Sequence, residues 1–223
     1  MSAFDDPEAV ARYAENPPRL VPGFAALQRM ALVLIAERAP EDARILVLGA
    51  GGGLELKAFA DAQARWHFDG IDPSAEMLKL AEKTLGPHAL RVCLHQGLVD
   101  VAPEGPYDAA TCLLTLHFMP AQERLRALRE IRRRLKPGAP FVAAHHSISL
   151  DPEERRQWLS RFAAFAEASG VEPERARQAG TGIGEGLPIL TPAHDEALLR
   201  EAGFRDVSLF YAAFTFRGWV AYG

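Results

Sequence analysis

The chain alternates between short, wholly apolar runs and longer segments whose apolar residues recur every three or four positions. Ile45-Leu46-Val47-Leu48-Gly49 is the first such run. A run without a polar face predicts a strand buried on both sides. Residues 68–72, 91–95, 109–114 and 140–145 read the same way. Between them the period changes to that of a helix. Residues 54–63 follow a glycine run, Met77, Leu78, Ala81 and Leu85 stripe residues 74–85, and Leu125, Leu128, Ile131 and Leu135 stripe residues 121–136. The last helix stops at Lys136-Pro137-Gly138. Strands and helices in strict alternation predict an α/β fold: a Rossmann-like, doubly wound and mostly parallel sheet covered on both faces. Ligands bind such sheets at the carboxyl ends of the strands, where the strand order reverses.

Four segments follow from this pattern: a helical arm (1–40), the core (41–150), a helical cap insertion (151–190), and a terminal helix with a hairpin (191–223). Pro17-Pro18 and Pro22-Gly23 interrupt the arm. Asp151-Pro152 suits a helix start, and Trp158, Phe162 and Phe165 form a stripe behind it. Gly180, Gly182, Gly184 and Gly186 predict a flexible loop, either a gate over the site or a solvent loop. Thr191-Pro192 opens a helix that closes at Ala202-Gly203, and strands at 206–212 and 214–221 form an antiparallel C-terminal edge. Phe210, Tyr211, Phe214, Phe216 and Trp219 read as core and sheet edge, and this apolar tail suits a homodimer.

Composition narrows the function. The chain has 223 residues, 48% of them hydrophobic, and a net charge of -4, which argues against a nucleic-acid or anionic-lipid partner. Arg124, Arg126, Arg129, Arg132, Arg133, Arg134 and Lys136 crowd the third helix, but Glu123 and Glu130 are interspersed, so the helix reads as a solvated face. Two cysteines on separate strands, no signal peptide and no apolar run of membrane-spanning length describe a cytoplasmic protein. No Cys/His spacing suggests a metal.

Candidate chemistry concentrates at Leu48-Gly49-Ala50-Gly51-Gly52-Gly53, a turn between strand and helix that lets the backbone approach a ligand closely. Leu54 stands where a dinucleotide fingerprint would carry its third glycine, which disfavours a pyrophosphate cofactor. Asp72 ends the second strand, placed to accept both hydroxyls of a ribose or to cap the next helix.

These stretches, with Ile71-Asp72 and Leu135-Lys136-Pro137-Gly138, resemble the class I S-adenosylmethionine-dependent methyltransferases over nearly the whole chain. The resemblance implies S-adenosylmethionine as cofactor, S-adenosylhomocysteine as product and a small-molecule acceptor. It implies cofactor contacts from Gly49, Ala50, Gly51, Asp72, Pro73, Met77, Gly97, Leu98, Val99, Leu114 and Thr115. Asp100 is a substitute for the acid expected at Leu98. Tyr13, Arg19 and Phe24 would close over the cofactor from the arm. His117, His145 and His146 are the candidate bases; the last two are adjacent on a strand and so face opposite sides.

Arg19 to Phe24, Thr115 to Phe118 and the tail from Phe204 to Ala221 are similar to the carboxy-S-adenosylmethionine synthase branch, which serves tRNA wobble uridine modification. That branch has tyrosine at Phe24, asparagine at Leu113 and a carboxylate-holding arginine at Leu198, with Arg200 a nearby substitute. The departures favour ordinary methyl transfer. A carboxy-S-adenosylmethionine synthase and a non-catalytic cofactor-binding module are the alternatives.

Overall fold

The computed structural model describes Val10 and residues 15–223. Five parallel strands, β1 (Arg44–Leu48), β2 (His67–Asp72), β3 (Val92–Gln96), β4 (Ala109–Leu113) and β5 (Pro140–His146), are joined by β6 (Arg205–Ala213) and β7 (Phe216–Tyr222). The sheet order is β3-β2-β1-β4-β5-β7-β6. One strand, β7, runs antiparallel; it inserts beside β5 and leaves β6 outermost. The order turns back between β1 and β4, so the carboxyl ends of these two strands open the crevice where this architecture binds ligands.

Side-chain alternation explains the double burial. On β1, Ile45 and Val47 enter one core layer while Leu46 and Leu48 enter the other. The first layer lies under α2 (Phe24–Ala36), α3 (Leu54–Ala62) and α4 (Ala75–Leu85). The second lies under α5 (Ala121–Arg134) and α8 (Pro192–Glu201). Each fully buried aliphatic side chain contributes about 1.5–3 kcal/mol relative to exposure. Helix starts follow local chemistry. Ser74 Oγ accepts the amide of Met77 at 3.1 Å to begin α4, and Thr191 Oγ1 accepts that of His194 at 3.2 Å to begin α8. The arm enters through a short helix, α1 (Asn16–Leu20), and Tyr211 on β6 anchors it by donating to the Pro22 carbonyl at 2.6 Å.

Two expectations change. The glycines at 180–186 form no loop; they lie in α7 (Pro173–Gly186), which packs on α6 (Pro152–Ala168). Glu172 caps α7, Ile183 buries into the first core layer, and a Cβ on Gly184 would stand 2.8 Å from Leu159 Cδ1. Tertiary packing thus overrides low helix propensity, and the small residues permit close helix contact. The basic helix α5 is also not solvated throughout. Arg124 and Arg134 are buried, Arg134 pairing with Glu130 and Arg124 with Asp195.

Candidate active site

β1 ends at Leu48, and the chain turns through Gly49 at φ +80°. The amides of Gly49 and Ala50 both donate to the Ile71 carbonyl, at 2.8 and 2.9 Å, pinning the turn against β2. A Cβ on Gly49 would fall 1.9 Å from Thr115 Oγ1 and 2.7 Å from Thr115 Cβ, so glycine is required by space as well as conformation. Asp72 is buried at the end of β2. Its Oδ2 accepts the Gly51 amide at 2.9 Å and its Oδ1 the Ser74 amide at 3.0 Å. Burial raises the carboxyl above its ordinary range, and the two amides partly offset that.

A cavity of about 470 Å³ opens beside this contact. Gly49, Gly51, Asp72, Pro73, Met77, Gly97, Leu98, Leu114 and Thr115 line it, together with Ser74, Phe118, Met119 and Glu123. Leu114 holds φ +59°, a conformation costly for a branched side chain, while its amide donates to the Ala144 carbonyl at 2.6 Å. Leu98 and Phe118 are half exposed at this cavity, so its surface includes an apolar rim. Gly49, Gly51, Leu113 and Leu114 also wall a second space of about 30 Å³, closed on its other side by Phe24, Gln28, Ala50 and Glu55. Glu55 is buried, receives the Thr111 hydroxyl on Oε1, and is pushed up to about 8, by burial against that hydrogen bond.

Residues 45–138 match the family described as a methyltransferase domain. A carboxy-S-adenosyl-L-methionine synthase from Chromohalobacter salexigens is 29% identical over 97% of this chain and 82% of its own length. The chain has the class I methyltransferase fold. An O-methyltransferase family protein from Burkholderia thailandensis shares the fold at a TM-score of 0.69 and 14% identity, covering 99% of this chain and 61% of its own. Human N-acetylserotonin methyltransferase, solved with S-adenosylmethionine, gives 0.60 at 18% identity, with 96% of this chain and 58% of its own covered. Both solved chains are longer; this one spans about three fifths of their length.

The fold keeps some expected residues away from both cavities. Val99 is buried in the second core layer, and Asp100 faces Arg126 on the surface at 3.9 Å. Arg19 is half exposed, 3.9 Å from Glu15. Tyr13 lies outside the described residues. The three histidines are buried, and none lines either of these two cavities. His146 stacks on Phe216 at 4.0 Å, shares a 2.9 Å hydrogen bond with Thr215 and lies 4.7 Å from the His117 ring. Burial holds His146 down at about 3 and His117 well below its usual range, so both are neutral at pH 7. His145 points to the other face, where its Nε2 is 3.2 Å from Asp195 Oδ2 but misaligned for a hydrogen bond.

Reading the sequence alone missed Gln28, Glu55, Ser74, Met119 and Glu123. Glu55 carried a usable signal: it is an acid two positions past the glycine run, on a helix that buries its neighbours. Gln28 carried none, because only the tertiary placement of α2 brings it to the turn.

Proposed function

We propose that this protein is a methyltransferase that holds S-adenosylmethionine in the larger cavity and passes its methyl group to a small-molecule acceptor by in-line displacement. The observation that carries the reading is the Gly51–Asp72 contact, 2.9 Å, at the edge of the 470 Å³ cavity. It sets a carboxylate beside a turn with no room for a Cβ at Gly49, which fits a ribose and its 5′ arm. Asp72 would grip the ribose hydroxyls, Gly97 and Leu98 would meet the adenine, and Leu113, Leu114 and Thr115 would line the sulfonium end.

When bound, the donor supplies a methyl group on a good leaving group. The protein's own work is then positioning and exclusion of water. The described residues lining both cavities include the acids Asp72, Glu123 and Glu55 and no lysine, arginine or histidine. Acidic and apolar walls suit a cationic sulfonium. Because His117 and His146 are buried away from both cavities, positioning rather than general-base catalysis is the reading favoured here.

The similarity to carboxy-S-adenosyl-L-methionine synthase supports a second reading, in which a carboxylated donor is made. Such a product needs a cation near its extra carboxylate, since a buried anion without one is costly. Leu198 is buried in the second core layer, Arg200 is exposed and bound to Glu196 at 2.9 Å, and Leu113 lines both cavities. The site therefore favours plain methyl transfer. Incubating the protein with isotope-labelled S-adenosylmethionine and a small-metabolite extract is expected to label an acceptor. A carboxylated donor in the mass spectrum would instead favour the second reading, and bound donor without any labelled product would favour a binding module.

A further inference from the structure

The smaller space is too confined for an acceptor molecule. It holds about 30 Å³, above the roughly 10–15 Å³ that one water needs, which is the scale of a single ammonium group. It adjoins the donor cavity through the shared wall of Gly49, Gly51, Leu113 and Leu114. If Asp72 grips the ribose and Gly97 and Leu98 lie at the base, the 5′ arm of the nucleoside runs toward that wall. Beyond it wait Gln28 and a carboxyl group from the first turn of α3.

The geometry points to Glu55 as the residue that recognises the α-ammonium group of the donor's amino-acid end. This inference rests on the proposed donor site. One oxygen of Glu55 is held by Thr111, its only hydrogen bond among the described residues. The side chain is more than nine-tenths buried, yet it forms part of the cavity wall. The elements packed around it bring few ionisable groups. From α2 come Phe24 and Gln28, from the glycine turn only backbone, and from β4 Thr111 and the Cys112 thiol. Burial, and then Glu55 itself, keep that thiol protonated. With no cation beside it among the described residues, burial holds Glu55 up at about 8, mostly protonated at pH 7 in the ligand-free protein. An incoming ammonium supplies the missing partner and lowers that value. The proton leaves to solvent, and the ligand amine keeps its own.

Calorimetry on the unaltered protein tests this without a variant. S-adenosylhomocysteine and 5′-methylthioadenosine share the adenosine and sulfur, but only the first carries the amino acid. In two pH 7 buffers of different ionisation enthalpy, S-adenosylhomocysteine is expected to release close to one proton, about nine-tenths for a group at about 8. Methylthioadenosine should release about that much less, which cancels any contribution from Asp72. Equal proton release by the two ligands would overturn the assignment. As a second arm, Glu55→Gln should weaken S-adenosylhomocysteine between roughly ten- and a hundred-fold, through loss of a charged hydrogen-bond partner, and abolish the extra proton. Methylthioadenosine should change less than about twofold. Equal losses for both ligands would show that Glu55 only holds the fold, and would also overturn it. Failure of the unaltered protein to bind either ligand would instead defeat the donor site itself.

Discussion

Gly49→Ala is expected to abolish measurable donor binding. Two independent costs act at that position. A residue with a Cβ is strained at φ +80°, by about 1–2 kcal/mol. The new methyl would also lie 1.9 Å from Thr115 Oγ1 and 2.7 Å from Thr115 Cβ. Rotation of the threonine side chain relieves the first contact but not the second, because Cβ is fixed to the backbone. The turn must therefore move away from β4, and overpacking of this kind costs about 1–3 kcal/mol. Moving the turn breaks the Gly51–Asp72 contact on which the proposed ribose site depends. A second substitution, Thr115→Gly, removes the clash but not the strain. The double variant should therefore recover part of the lost stability, measured by denaturant unfolding. Full recovery would show that φ contributes nothing there; no recovery would show that the clash does not matter.

The second large effect lies beneath the site rather than in it. Arg124 and Asp195 are almost completely buried and bonded to each other. Ser147 donates to Asp195 Oδ2 at 2.6 Å, and Arg124 Nη2 donates to the carbonyls of Pro188 at 3.2 Å and Met119 at 3.3 Å. This network ties α5, the end of β5 and α8 together behind the loop that carries Met119 to the cavity. Asp195→Ala leaves the guanidinium buried and unpaired, which costs about 3–5 kcal/mol. At about 2–4 °C per kcal/mol for a chain of this size, the Tm should fall on the order of 10 °C. Replacing both groups, Arg124→Leu with Asp195→Leu, should cost less than Asp195→Ala alone, since no charge is then stranded. A double variant that is the less stable would contradict the argument. Although burial alone would raise Asp195, His145 and Arg124 hold it below its ordinary value of 3.8. The stabilisation it supplies is therefore complete above that value and fades as the pH drops through the lower folded value.

Glu55 has the opposite linkage. Its folded value of about 8 lies above the ordinary 4.5, so the protonated form favours folding. Stability is expected to decline as the pH rises from about 4.5 toward about 8, by on the order of 4 kcal/mol in total. Glu55→Gln should flatten that decline. Parallel stability–pH profiles of the two proteins would refute the assignment.

The sheet was legible because each parallel strand is a short apolar run and each helix between them carries a stripe. Ile45 to Leu48 could have no other role than a strand covered on both sides. The cavity end formed by the glycine turn and Asp72 was legible for a related reason. Glycines at a strand end and an acid at the next strand end are local features, and the sheet brings successive strand ends together. What failed depended on contacts between distant segments. Four glycines in seven residues read as a loop, because the Leu159 surface that Gly180 and Gly184 face lies on another helix. Arg124 looked like one of seven surface cations, because its partner sits 71 residues away. The histidines at 117, 145 and 146 stand near strand ends, but only packing decides whether a side chain faces the cavity or the core. Glu55 was passed over because an acid in a first helical turn has an ordinary use with the helix dipole.

The account depends most on Asp72 as the ribose anchor. Isothermal titration of S-adenosylmethionine into the unaltered protein and into Asp72→Ala tests that directly. The unaltered protein should bind with micromolar affinity. The variant, still folded by circular dichroism, should lose roughly a hundred-fold or more, as expected for a charged acceptor removed from two hydroxyls. Equal affinity in the two proteins would contradict the assignment of the donor site.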